Sequence, residues 1–141
     1  MQILGLLIII GMGTFSYKGN KSNEMVFETT LQDNKLGICG EKPNCVSSFQ
    51  DQSDEHYIAP LNIALNDLSK IEEFFKDCDI KISKDNYKHI ECTSRIFKFT
   101  DDIEVLYINS TLHYKSSSRV GHSDLGVNRD RINSLIDYLN K

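Results

Sequence analysis

The spacing of apolar residues predicts two helices, one in the middle of the chain and one at its end. The first rests on five apolar positions at helical intervals: Leu68, Ile71, Phe74, Phe75 and Cys78. They predict a short helix over 67–77 with Asn66 as its N-cap. The second rests on four positions spaced i, i+3, i+4, i+7: Ile132, Leu135, Ile136 and Leu139. They predict a helix of about three turns with Asn128 as its N-cap.

Between these helices the period of the pattern changes to two, which predicts strands. Ile80 and Ile82 alternate with polar residues, and further strands follow over 87–99, 103–108 and 111–118. Strands joined by turns of two or three residues are antiparallel neighbours, so the four form a meander. The predicted fold class is α+β: a four-stranded antiparallel meander with a helix before and a helix after it, packed on one face.

The start of the chain is an uncharged apolar run, Ile3 to Phe15, thirteen residues long. That length suits the centre of a secretory signal better than a membrane span, which needs about 20 residues. No Lys or Arg precedes the run and no small-x-small site follows it, so a short buried helix is the alternative. We therefore predict an apolar signal or anchor segment at 1–17, a polar spacer at 18–36 and a single domain at 37–141, with membrane contact only through the first segment.

Charge excludes one class of partner. The chain has 16 Lys+Arg against 20 Asp+Glu, a net charge of −4. Binding to nucleic acid depends on clustered positive charge, so we expect no nucleic-acid partner.

The four cysteines bear on the compartment. Cys39 and Cys45 flank a turn-rich stretch, and a disulfide between them is favoured over two free thiols. Cys78 and Cys92 lie on the apolar faces of a helix and a strand, which favours two small buried side chains unless their Cα atoms come within about 7 Å. An even count suits an oxidising compartment, and the chain is expected to be exported or membrane-anchored, on the outer side of the cell membrane.

The segment 116–131 holds the densest cluster of unusual residues. Its arginines lead into the N-terminus of the last helix, where anions are favoured, and arginine binds carboxylate or phosphate in a bidentate fashion. The anion-binding candidates are Arg119, Arg129, Arg131 and Asn128. The alternative is that the arginines pair with Asp101, Asp102 or Asp124 and hold an irregular loop on the sheet.

Other clusters are weaker. Asp51, Asp54, Glu55 and His56 could hold a divalent cation, although a solvated loop is the more usual outcome. The run His122-Ser123-Asp124 has the residue types of a catalytic triad, but adjacent residues rarely converge as one. Cys45 could form a thiol pair with His56 or His122 if its sulfur were free. No residue is assigned a catalytic or metal-binding role, and no cofactor is expected.

Several motifs resemble the bacterial and plastid family catalogued as domain of unknown function 1499. The matching stretches are GICGEKPNCVSS (37–48), IAPL (58–61), the pair Asp101-Asp102 and SRVGHSDLGVNRDR (118–131). Many relatives have proline after the first cysteine, where this chain has Gly40. The family has no established activity, so the resemblance implies relatives and no mechanism.

Two functions remain open from the sequence. The first is a non-catalytic envelope domain, exported or membrane-tethered, that binds an anionic small molecule, a lipid headgroup or an envelope protein, or that has a structural role. The second is a hydrolase or transferase acting on an anionic substrate. It would bind the substrate through Arg119, Arg129 and Asn128, and its acid, base or nucleophile would be Asp124, His122 or Cys45. Convergence of Cys45, His56 or His122 with Arg119 and Arg129 in one cleft would favour the enzyme.

Overall fold

The structure is a computed structural model that describes residue 14 and residues 16–141. The apolar run predicted as a signal or anchor lies outside the described residues except for Thr14. Within the described part of the chain, no helix is both long enough and apolar enough to cross a membrane.

Three helices are present among these residues. The first, α1, covers 16–24. The second, α2, covers Leu68–Phe74 and follows a 3-10 turn at Leu65–Asp67. The third, α3, covers Val127–Leu139. The predicted helices correspond to α2 and α3, and both are bounded within a few residues of the pattern that predicted them.

A single antiparallel sheet forms the centre of the domain. Its strands are β1 (Cys45–Ser47), β2 (Leu61–Asn62), β3 (Asp79–Ser83), β4 (Tyr87–Thr93), β5 (Thr100–Ile108) and β6 (Thr111–Ser118). The order is β1-β6-β5-β4-β3, and β2 also pairs with β6. The α+β class and the meander, β3 to β6, are confirmed. The sheet has six strands rather than four because β1 and β2, of three and two residues, are too short to show an alternating pattern.

One strand boundary was predicted wrongly. The pattern over 87–99 suggested one strand, but the chain turns back at 94–99, where the Ser94 amide bonds the Phe99 carbonyl at 2.8 Å. Asp101 and Asp102, which resemble a turn in sequence, are buried strand residues of β5. Their carboxylates pair with Arg119 and Arg131, so the charges that suggested a strand end lie inside the sheet.

Helices α2 and α3 cover one face of the sheet and form the main core there. Its fully buried side chains include Ile71, Ile90, Ile103, Tyr114, Ile132 and Leu135. A disulfide between Cys78 and Cys92, with Cα atoms 4.7 Å apart, joins the end of the α2 region to β4 beside this core. The predicted packing of the helices on one face agrees with this arrangement.

The opposite face of the sheet is covered by the N-terminal segment. Leu36, Tyr87 and Leu106 form a small second core there. Residues 25–30, hereafter the strap, cross the same face between α1 and this core. The second face also carries polar contacts, which are made by His89, Asp102, Glu104 and Arg119.

Candidate functional site

The start of α3 is built by Asp124, not by Asn128. Gly126 adopts a left-handed conformation (φ 85°) just before the helix. The Asp124 carboxylate accepts the backbone N–H groups of Gly126 at 3.0 Å and Asn128 at 2.8 Å. The prediction of Asn128 as N-cap was therefore wrong by two residues, because the aspartate upstream already satisfies the free amides of the first turn.

Asn128 is buried and joins three parts of the fold. Its Nδ2 donates to the Asn44 carbonyl at 3.2 Å and to the Ser118 hydroxyl at 2.9 Å. Its Oδ1 accepts from the Ser116 hydroxyl and from Arg131 Nη1. This amide is occupied on both sides by protein groups and links α3, β6 and the turn before β1.

Arg119 is an internal clamp. Its Nε and Nη2 donate to the two carboxylate oxygens of Asp102 at 2.7 and 2.8 Å, and Nη2 also bonds Glu91. Its Nη1 donates to the carbonyls of Ser22 and Met25 at 3.3 and 2.9 Å. All five N–H donors of the guanidinium are thus engaged, and the group joins β4 and β5 to α1 and the strap.

A buried histidine completes this cluster. His89 Nε2 lies 2.8 Å from Asp102 Oδ1, and the Phe27 ring of the strap stacks on the imidazole at 3.5 Å. Burial opposes ionisation of Asp102, but hydrogen bonds from Arg119 and His89 outweigh it and lower the pKa of this carboxyl. His89, Glu91 and Asp102 bring potential ligand atoms within 4.8 Å of one another. Because Arg119 bonds both carboxylates, its guanidinium already supplies the positive charge that a cation would bring.

Glu104 holds the end of the strap. This buried carboxylate accepts the Tyr87 hydroxyl at 2.7 Å, the Thr29 hydroxyl at 3.1 Å and the Thr30 amide at 3.0 Å, and also the Thr30 hydroxyl. Burial raises the pKa of Tyr87, so the phenol stays protonated and donates. Sequence reasoning missed Thr29 and Thr30, whose partner lies more than seventy residues away.

The loop between β6 and α3 borders a cavity of about 380 Å³, the first cavity. Its wall includes Lys18, Phe99, Val120, His122, Val127 and Arg131. Two carboxylates also line it, Asp101, which pairs with Arg131, and Asp124, which accepts the amides at the start of α3. Arg131 bonds Asp101 at 2.8 Å through Nη2 and Asn128 at 3.0 Å through Nη1, which uses two of its five donors. This cavity combines an apolar wall with a guanidinium that has further donors.

A second cavity of about 160 Å³ lies on the other side of the α3 N-terminus, lined by Cys45, His56 and Arg129 among others. Arg129 donates to the carbonyls of Tyr57 and Glu55. The structure therefore brings Cys45 and His56 together with Arg129, whereas His122 lies with Arg131 in the first cavity. Arg119 lines neither cavity.

The sulfur of Cys45 is bonded to that of Cys39 in a disulfide with Cα atoms 5.8 Å apart, which confirms the predicted bridge. His56 Nδ1 lies 2.8 Å from Asp54, and Nε2 lies 3.1 Å from the Lys42 carbonyl. Hydrogen bonds from the His56 amide, from Gln50 and from the imidazole lower the pKa of Asp54 to about 2. The acidic run that suggested a cation site is therefore an internally hydrogen-bonded loop.

Comparison with known proteins gives one family. A family model described as "Protein of unknown function (DUF1499)" matches residues 35–139. No curated protein matches the chain, and no solved structure does.

Proposed function

This chain belongs to the DUF1499 family of proteins of unknown function, and from its own geometry we propose that it is an exported, non-catalytic domain that binds a small anionic ligand in the first cavity. The observation that carries the proposal is that Arg131 shares the wall of that cavity with apolar side chains. Ligand pockets in proteins are mostly apolar with a few polar groups that fix orientation, and this cavity has that composition.

The chemistry of the wall defines the ligand. Arg131 can direct further N–H groups at an anion, and Lys18 adds a second positive charge. Phe99, Val120 and Val127 supply apolar surface beside them. We therefore expect a compact amphipathic anion, with its charge at Arg131 and its carbon chain against these three residues.

Export is supported by the cysteines. All four are in disulfides, Cys39–Cys45 and Cys78–Cys92. Disulfides form and persist in oxidising compartments and are rare in the cytosol. In this proposal the apolar run Ile3 to Phe15 is the signal or anchor segment that directs the chain to export. Fractionation of the tagged full chain tests this, and recovery from the cytoplasm alone, with four reactive thiols, would contradict export.

The alternative, a hydrolase or transferase acting on an anionic substrate, has less support. Its thiol nucleophile would be Cys45, and the disulfide removes the thiolate that such chemistry requires. Its acid or base would be Asp124 or His122, and Asp124 already accepts the amides at the start of α3. Its binding residues would be Arg119, Arg129 and Asn128. Arg119 is fully engaged by internal acceptors, Asn128 by Asn44, Ser116 and Ser118, and Arg129 donates to two backbone carbonyls.

Thermal unfolding with sodium octanoate tests the binding proposal. Octanoate carries one anionic group on a short carbon chain, and a ligand that binds the folded state raises the melting temperature with concentration. We expect this rise for the wild type and its loss in Arg131→Gln. Inorganic phosphate, measured in parallel, separates the contribution of charge from that of the carbon chain.

The matched control is Arg129→Gln. Arg129 is the neighbouring arginine on the same helix, but it lines the second cavity. This variant should keep the octanoate effect of the wild type. If neither octanoate nor phosphate stabilises the wild type, or if both variants respond alike, the first cavity is not an anion site.

A further inference from the structure

Three exposed apolar side chains belong to segments that line the first cavity: Tyr17, Ile96 and Leu125, hereafter the rim. They are 71%, 75% and 92% exposed, respectively. Each is close in sequence to residues of the cavity wall, since Tyr17 precedes Lys18, Ile96 lies between Ser94 and Phe99, and Leu125 lies between Asp124 and Val127. Apolar surface gathered in this way marks a site of contact with a protein or a membrane.

The rim is assembled from three separate segments held against one another. Helix α1 packs on the β4–β5 hairpin so closely that a Cβ atom at Gly19 would lie 1.5 Å from the Phe97 carbonyl oxygen. The Ser22 hydroxyl also accepts the Thr100 amide at 3.0 Å. The loop that carries Leu125 lines the same cavity as Lys18 and Phe99. The fold therefore holds the three segments that carry these side chains beside one cavity.

Leu125 is not required by the fold. Its backbone is left-handed, with φ 57°, a conformation that favours glycine or asparagine. Its side chain is almost wholly exposed, so it adds nothing to the core. The side chain of Leu125 is therefore available for contact with a partner outside the folded domain.

Basic residues predominate in the sequence next to the rim, where Asp124 is the acidic neighbour of Leu125, although the chain as a whole is acidic. Four basic residues adjoin them, and all are exposed: Lys18, Lys21, Arg95 and Lys98. None of the four forms an ion pair with an acidic residue in the described part of the chain. The net charge of the whole chain is −4. The rim is thus a local basic and apolar surface, complementary to an anionic and apolar partner.

We propose that the rim lies on the surface of an anionic lipid bilayer and inserts its three apolar side chains at the headgroup boundary. Apolar residues that enter the interface beside Lys and Arg at the headgroups are the usual composition of membrane-surface binding, and tyrosine is enriched at that depth. The apolar run Ile3 to Phe15 ends immediately before α1 in sequence. Membrane contact then extends beyond the first segment, to which the sequence alone had confined it.

The chain contains no tryptophan, so one introduced tryptophan reports on its own position. The test uses the full chain with Leu125→Trp in phosphatidylcholine vesicles, with and without phosphatidylglycerol, and with brominated acyl chains as quencher. We expect a blue shift and loss of fluorescence in the brominated vesicles, stronger with phosphatidylglycerol. Ile96→Trp should behave alike, which keeps the test decisive if one variant folds poorly.

Leu65→Trp is the matched control. Leu65 is also an exposed leucine, 63% accessible, but it lies at the opposite end of the sheet, beyond β2. Its tryptophan should show neither the blue shift nor the quenching. Equal quenching at 125 and 65, or quenching at neither, would overturn the proposal. Octanoate binding is measured without vesicles. A negative result for membrane binding by the rim can therefore be distinguished from a negative result for anion binding in the first cavity.

Charge gives an independent second measurement. Arg95→Glu with Lys98→Glu, in the Leu125→Trp background, reverses the charge of the hairpin tip without changing the apolar side chains. We expect this variant to lose the added effect of phosphatidylglycerol on quenching. Quenching that rises with phosphatidylglycerol as before would contradict an electrostatic contribution from the rim.

Discussion

Asp102 accepts two hydrogen bonds from Arg119, and the two side chains are only 7% and 6% exposed. The same guanidinium donates to the carbonyls of Ser22 and Met25. One ion pair inside the sheet therefore also fastens α1 and the strap. Arg119 is therefore a structural residue. Its role differs from that of Arg131, whose side chain lines the first cavity.

Arg119→Ala should lower the free energy of unfolding by about 3–5 kcal/mol, because it leaves Asp102 buried without its charged partner. Urea denaturation measures the loss. Arg95→Ala removes an exposed arginine and should stay within about 0.5 kcal/mol of the wild type. Stability close to wild type in Arg119→Ala would contradict the clamp.

Acid should destabilise the protein through Asp102. Its pKa is lowered from the ordinary value of 3.8, so the folded state binds fewer protons than the unfolded state in that range. The stabilisation is complete above about pH 4 and is lost as the pH falls through the lower pKa of the folded state. Urea midpoints between pH 7 and pH 2 measure this slope.

Asp102→Asn should flatten that slope while lowering stability at neutral pH. Asp54, with a pKa of about 2, titrates in the same range. Asp54→Asn therefore measures how much of the slope comes from the loop at His56. An unchanged slope in Asp102→Asn would assign the acid sensitivity to other carboxylates.

Removing the Cys78–Cys92 bridge should cost about 3 kcal/mol, as the loop-entropy model gives for a loop near this length of 14 residues. The double variant with alanine at both positions tests this by thermal unfolding.

A digest without reductant should yield both native disulfide-linked peptide pairs from the wild type. A free-thiol count of four in exported protein would contradict both bridges.

Gly19→Ala should separate α1 from the β4–β5 hairpin, because the added methyl group would overlap the Phe97 carbonyl. Limited proteolysis measures this as faster cleavage near residues 16–30. Gly40→Ala is the control, since nothing lies within 4 Å of an added Cβ there. Equal protection in the two variants would show that α1 does not depend on this close approach.

The parts of the fold that sequence predicted well are those with a local signal. Strand β6 (Thr111–Ser118) has the predicted bounds, since a tight turn precedes it and apolar residues alternate along it. The β4–β5 turn was misplaced because Asp101 and Asp102 look like turn residues until their partners from other elements are known. Local pattern does not encode a buried charge pair.

For the candidate site, the sequence indicated a segment to consider but not the contacts of its side chains. Sequence singled out the arginines between β6 and α3, and it left open whether they bind an anion or pair internally. Arg119 pairs internally, and Arg131 both pairs with Asp101 and lines a cavity. The strap residues Thr29 and Thr30 gave no signal in the sequence, because their role depends on Glu104, a strand residue 75 and 74 positions further along the chain.

The contacts of Arg119 with Ser22 and Met25 span 97 and 94 residues. A ribosome therefore completes α1 and the strap long before it adds the guanidinium that secures them. Until Arg119 has been synthesised, residues 22 and 25 lack these two hydrogen bonds. We expect the apolar run that precedes them to be accessible to export machinery until then. The strap is thus secured in two stages in chain order, first by Glu104 and then by Arg119, and both are synthesised before α3.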